Sequence, residues 1–184
     1  MKKFLLTAIA LMAMCVSMNA QNQEEVTAST ERAAKLEALL KKAPKSSGIP
    51  EIDTYTNDLV RAAQSLCENS DKLKTFNDRL TAVAQGAEGA QMPTLDEMDA
   101  LALSIKGEAK TVLAIKDGAT GMTSAVSTVE AKLKNASGLD KVKVAKQAAN
   151  ATKVAGFSKD VLPLVIEEST AQVKIVEDFI KMLK

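Results

Sequence analysis

The sequence predicts an all-α fold: an elongated, antiparallel, up-and-down bundle of three long helices with a short helix in front. Three observations predict it. Strong helix formers dominate, with 25 Ala after residue 20 and many Lys and Glu. Apolar residues recur in sustained heptads. Pro- and Gly-bearing turns separate the periodic segments. No stretch alternates apolar and polar residues in the strand manner between turn signals.

The first twenty residues read as an address. Lys2 and Lys3 precede a mostly apolar run, Phe4 to Val16, and Ala20 leads into polar Gln21 and Asn22. That order is a bacterial secretory signal peptide, with cleavage after Ala20. Processing as a lipoprotein at Cys15 is the lesser alternative, because bulky Met14 stands where a small residue is usual. The domain division is therefore 1–20 signal peptide and 21–184 a single helical bundle, in the periplasm or outside the cell.

The short helix is expected over about Glu24–Ala43, with Val26, Ala33, Leu36, Leu40 and Ala43 on one face. Pro44 to Pro50 breaks the chain with two Pro and a Gly. The first long helix spans about Glu51–Gln85. One heptad position reads Ile52, Leu59, Leu66, Leu73, Leu80, and the other Tyr55, Ala62, Asn69, Phe76, Val83. Such a rod is about 50 Å long.

The second long helix opens at Thr94-Leu95-Asp96-Glu97, an S/T-x-x-E capping box. Its stripe is Met98, Ile105, Val112, Ala119, Val126, Leu133, with Leu101, Glu108, Ile115, Met122, Val129, Ala136 three residues on. The frame survives Gly118 and Gly121, so one continuous helix is expected there, with a turn as runner-up. Gly138 suits a left-handed cap at its end.

The last long segment runs from about Asp140 to Lys184. Its first half is small-sided, with Val142, Ala145, Ala149 and Thr152 read as the seam, and Gly156 to Pro163 is a potential interruption. Its second half offers Leu162, Ile166, Ser169, Val173, Val176, Ile180 and Leu183 as the inward face. Glu167 and Glu168 fall among the outer positions.

Composition excludes several chemistries. The chain has no His, which rules out His-based nucleophiles, His-ligated zinc and a His proton switch. No phosphate-binding Gly loop and no calcium loop is present. No catalytic constellation, cofactor motif or metal-ligand set emerges, so an enzyme is not expected. After residue 20 there are 22 basic and 23 acidic residues, a net of −1, and only Phe76, Phe157, Phe179 and Tyr55 are aromatic. Nucleic acid is thereby a poor partner. No apolar run after residue 20 is long enough to span a membrane.

Three features remain as site candidates. Asn69, Glu108 and Ser169 are the lone polar seam residues of the three rods, and equal rise per residue puts them at one level. A polar layer there sets register, or contacts a ligand or ion, with register the favoured reading. Between Lys132 and Lys159 stand Lys132, Lys134, Lys141, Lys143, Lys146, Lys153 and Lys159 against one acid, Asp140. That basic face is a solvated surface or the seat of an anionic partner. Cys67 is the only thiol after residue 20, either a shielded core residue or an intermolecular partner.

The expected function is a secreted or periplasmic, non-enzymatic bundle that binds another macromolecule, protein or lipid. It would serve as an accessory, scaffold or host-facing factor. The alternative is a periplasmic lipid carrier or chaperone-like bundle shielding apolar ligands. Heptad seams also suit helix exchange between chains, which leaves a homo-oligomer open.

Overall fold

A computed structural model describes residues 22–183. Among them are four helices and no strand: α1 over 22–40, α2 Pro50–Ala84, α3 Leu95–Asn135 and α4 Gly138–Leu183. Residues 1–20, read as a signal peptide, and with them Cys15, lie outside the described residues.

Each boundary has a local cause. In the α1–α2 loop, Gly48 takes a left-handed φ of 73°, which a residue with a Cβ resists. Pro50 then occupies the first turn of α2, where no N–H is needed. The Asp53 carboxylate gathers this loop, accepting from the Ser47 N–H at 2.6 Å, the Ser46 and Ser47 hydroxyls at 2.6 and 2.8 Å, and the Gly48 N–H at 3.1 Å. α3 begins at the expected capping box. The Thr94 hydroxyl accepts from the Glu97 N–H at 3.2 Å and the Glu97 carboxylate accepts from the Thr94 N–H at 2.8 Å. α3 stays helical through Gly118 and Gly121, and α4 stays helical through Gly156 and Pro163. Val161 and Val165, flanking Pro163, are wholly buried, so packing on both sides holds the helix where the proline removes one backbone hydrogen bond. Gly138 has φ 58° and turns the chain from α3 into α4.

The core is two apolar clusters. The larger holds Leu36 of α1, Leu59 and Leu66 of α2, Val112 and Ile115 of α3, and Val161 and Val165 of α4. The smaller holds Val26, Leu73, Met98, Ile105, Ile175 and Phe179. Along the chain, α1 and α3 meet the smaller cluster first, while α2 and α4 meet the larger first. Successive helices thus pass between the clusters in opposite senses.

The α2 heptads face inward as expected: Ile52, Leu59, Leu66, Leu73 and Leu80 are all buried. In α4 Ser169 and Val176 are buried as expected, but the rest of the seam differs. The buried line is Val154, Ser158, Val161, Val165, Glu168, Gln172, Ile175, Phe179. It alternates steps of four and three, one residue ahead of the apolar stripe read from the sequence. Leu162, Ile166, Val173 and Ile180 flank the core, half-buried. In the first half, Val142, Ala149, Thr152 and Gly156 are exposed, while Ala148 and Ala151 point inward.

Near the start of α2, the Tyr55 hydroxyl lies 2.8 Å from Ser158 Oγ, and its ring passes 3.7 Å from where a Cβ on Gly118 would stand. The end of α3 and the start of α4 continue past that level. Gln147 and Asn150 tie the α1–α2 loop to α4 by donating to the carbonyls of Gly48 and Ser46, both at 3.2 Å. Beyond this tie the hairpin has no core, and no residue from 130 to 147 is buried.

Candidate functional site

On every helix, one short stretch separates the two apolar clusters. It holds Ser29 on α1, Asn69 and Ser70 on α2, Glu108 on α3, and Glu168, Ser169 and Gln172 on α4. Asn69 and Ser169 are buried and Glu108 is half-buried. Of its two acidic members, the wholly buried one is Glu168, whose side chain is 0% exposed. This corrects its placement among the outer positions.

Glu168 is held entirely by donors. Arg32 Nε donates to Oε2 at 2.6 Å, Gln172 Nε2 donates to Oε1 at 2.7 Å, and the Ser29 hydroxyl donates to Oε1. Ser29 and Ser70 share a further hydrogen bond at 3.0 Å. Gln172 Nε2 also donates to the Leu66 carbonyl at 2.7 Å. Burial pushes the Glu168 carboxyl above its ordinary range, against the pull of Ser29, Arg32 and Gln172. Asn69 Nδ2, Asn77 Oδ1 and Gln172 Oε1 are buried and make no hydrogen bond among the described residues.

Sequence reasoning missed Ser29, Arg32, Glu168 and Gln172. Ser29 carried a usable signal, because Val26, Ser29, Ala33 and Leu36 follow steps of three, four and three. Glu168 and Gln172 carried one too, as members of the 3–4 line through Val161, Val165, Ile175 and Phe179. Arg32 had none, since its partner is on another helix. As built, the layer can lock register among three helices. It offers a substrate no access to the carboxylate.

Cys67 is buried in the larger cluster, its thiol 3.5 Å from the Ala33 carbonyl. Burial, then the carboxylates of Glu37, Glu168, Asp71 and Glu68, pushes the thiol up to about 11. A disulfide to a second chain requires this part of the core to open.

The seven lysines are all exposed, and none makes a hydrogen bond or ion pair among the described residues. They do not form one face. Lys132 and Lys134 sit in the last turn of α3, beside its free carbonyls. At about 100° per residue, Leu139, Val142, Lys143, Lys146 and Lys153 share one outward stripe of α4. Lys141 and Lys159 project from another side. Leu139 is 91% exposed and Val142 71%. Between the end of α3 and the start of α4 is an open groove of about 760 Å³, where Lys132 and Lys143 stand beside Asp140.

Among the described residues, no three Cys, Asp or Glu side chains converge as a metal-ligand set, and no helix is long and apolar enough to cross a membrane. Compared with protein-family models, with curated proteins and with solved structures, the chain matches none.

Proposed function

We propose that the protein is an exported, non-enzymatic helical bundle that works by binding another macromolecule through the projecting end of the α3–α4 hairpin. The observation that carries this reading is the coreless run 130–147, which displays Leu139 and Val142 beside lysines that have no partner among the described residues. Ordering a helical residue costs about 1–2 kcal/mol of backbone entropy. An arm that buries little of its own recovers that cost through a partner. Elsewhere Lys74, Lys106, Lys174 and Lys181 pair with acids while other lysines do not, so what sets the arm apart is unpaired lysines beside exposed Leu139 and Val142.

Two considerations weigh against the other classes. Among the described residues the one wholly buried carboxylate, Glu168, accepts from three donors and is closed to solvent, which disfavours acid–base catalysis. A carrier that opens along α4 would need small residues, Ala145, Ala149, Thr152 and Gly156, to thin its packing; Ala145 is half-buried and the other three are exposed. Ala149, Thr152 and Gly156 thus face solvent rather than thinning the core.

Site-specific photo-crosslinking in the producing cell tests the reading. A crosslinker at position 139 or 142 should capture a partner, while one at Asn57 or Gln64, exposed on α2, should not. Equal capture from both places, or none from the arm, overturns it.

A further inference from the structure

The partner chemistry can be narrowed, and this step rests on the binding reading above. We propose that the arm docks on an anionic lipid bilayer surface, with Leu139 and Val142 entering the headgroup–acyl boundary and Lys143, Lys146 and Lys153 meeting lipid phosphates. The stripe combines two exposed aliphatic side chains with three unpaired cations and no acid on the same side of the helix. Of the arm's two acids, Asp140 lines the groove beside Lys132 and Lys143, and Glu130 accepts from the Thr152 hydroxyl on α4. Lys143 thus stands at the edge shared by groove and stripe, while Lys146 and Lys153 are not among the groove's lining residues.

The kind of cation separates a bilayer from an acidic protein. Arginine forks suit fixed, bidentate acceptors. All three arginines lie away from the arm and are engaged within the chain: Arg32 with Glu168, Arg61 with Asp58 and Arg79 with Glu97. The arm carries only lysines, point charges on long flexible stems that follow a fluid array of phosphates. Its apolar residues are aliphatic. Protein interfaces instead concentrate Tyr, Trp and Arg at their centres, and the arm has none of these. Aliphatic side chains flanked by lysines suit an interfacial helix. The core ends at Val129 on α3 and resumes at Ala148 on α4, so Leu139, Val142, Lys143 and Lys146 stand clear of it, and Lys153 is exposed where the arm joins the core.

The test uses the protein as its producing cell processes it, with vesicles of phosphatidylcholine alone or mixed with phosphatidylglycerol. Cosedimentation should occur with the mixed vesicles, and salt should weaken it. Joint Lys143→Gln, Lys146→Gln and Lys153→Gln should weaken it by about tenfold or more. All three positions are exposed, and circular dichroism verifies that the helices persist. Because the chain contains no Trp, Leu139→Trp gives a single fluorescent reporter. Its emission should shift to the blue on mixed vesicles and be quenched by brominated lipid. Leu103→Trp, at another exposed leucine, should do neither. Equal binding to neutral vesicles, indifference to the lysine changes, or equal quenching at 103 and 139 overturns the proposal. If vesicles fail to bind while a crosslinker at 139 captures a protein, the lipid inference falls and the binding reading stands. If both fail, both fall.

Discussion

Arg32 on α1 and Glu168 on α4 pair across the boundary between the two apolar clusters, with Nε 2.6 Å from Oε2. The carboxylate is wholly buried and the guanidinium side chain is 16% exposed. The pair fastens the short helix to the longest one at the level where packing changes from one cluster to the other. Removing one partner of a buried pair strands the other charge, at a cost of about 3–5 kcal/mol. Arg32→Ala should therefore lower the unfolding free energy by that amount, read as a lower urea midpoint at constant m-value. Arg32→Met combined with Glu168→Leu should cost less than either single change, because no charge is left behind. A loss below about 1 kcal/mol in Arg32→Ala would mean the pair behaves as a surface bridge.

The same carboxyl sets a pH dependence. Its folded value is raised above the ordinary 4.5, chiefly by burial, so the folded chain holds the proton more tightly than the unfolded one. The stabilisation from protonation is fully present below 4.5 and is lost as pH rises through the folded value. The wild-type chain should thus lose stability relative to Glu168→Gln just above pH 4.5. Urea titrations across that window check it. A slope of opposite sign would show that the donors Ser29, Arg32 and Gln172 outweigh desolvation.

Glu97 behaves in the other direction. The Thr94 N–H first, then Arg79, holds its carboxyl down at about 2. Stability from this depression is present above the ordinary value of 4.5 and is lost as pH falls toward about 2. Glu97→Gln should flatten that acid limb of the stability curve, and Arg79→Gln should flatten part of it. An unchanged limb in Glu97→Gln would rule the capping carboxylate out as its source.

Cys67 should resist alkylation in the folded chain. Its thiol is buried and pushed up to about 11, so at pH 8 little thiolate exists and reagent has no path to it. Labelling with iodoacetamide should follow the fraction unfolded as urea is raised. Rapid labelling without urea would refute this placement and favour an intermolecular thiol.

Much of this architecture was legible in the sequence. The α2 heptads and the Thr94–Glu97 box are local signals, and both appear where periodicity and capping chemistry put them. Asn69 and Ser169 were legible as polar interruptions because their neighbours in the heptad are apolar. The α4 seam was not, for a specific reason. Counting apolar residues favours the line through Leu162, Ile166, Val173 and Ile180, whereas the true line accepts Ser158, Glu168 and Gln172. Those residues are tolerable inside only because Tyr55, Ser29, Arg32 and the Leu66 carbonyl arrive from other helices. A one-helix reading sees the desolvation cost and not the partners that offset it. The arm was legible as a charge bias, but its lack of core depends on where α2 begins relative to the α3–α4 turn.

Hydrogen exchange should divide α4 at the edge of the core. Amides exchange through local opening where few apolar contacts hold a segment, and through global unfolding where many do. Residues 130–147 include no buried side chain, so their amides should exchange by fraying from the Gly138 turn. Val154, Phe157, Val161 and Val165 are buried, so protection should rise steeply between about residues 148 and 154 and match that of Leu59 and Leu66 in α2. Lowering stability with urea should leave arm exchange nearly unchanged while accelerating exchange in the core. Protection of 130–147 equal to that of α2 would mean that the arm is already packed against something, such as a second copy of the chain. Exchange that then depends on protein concentration would identify that copy.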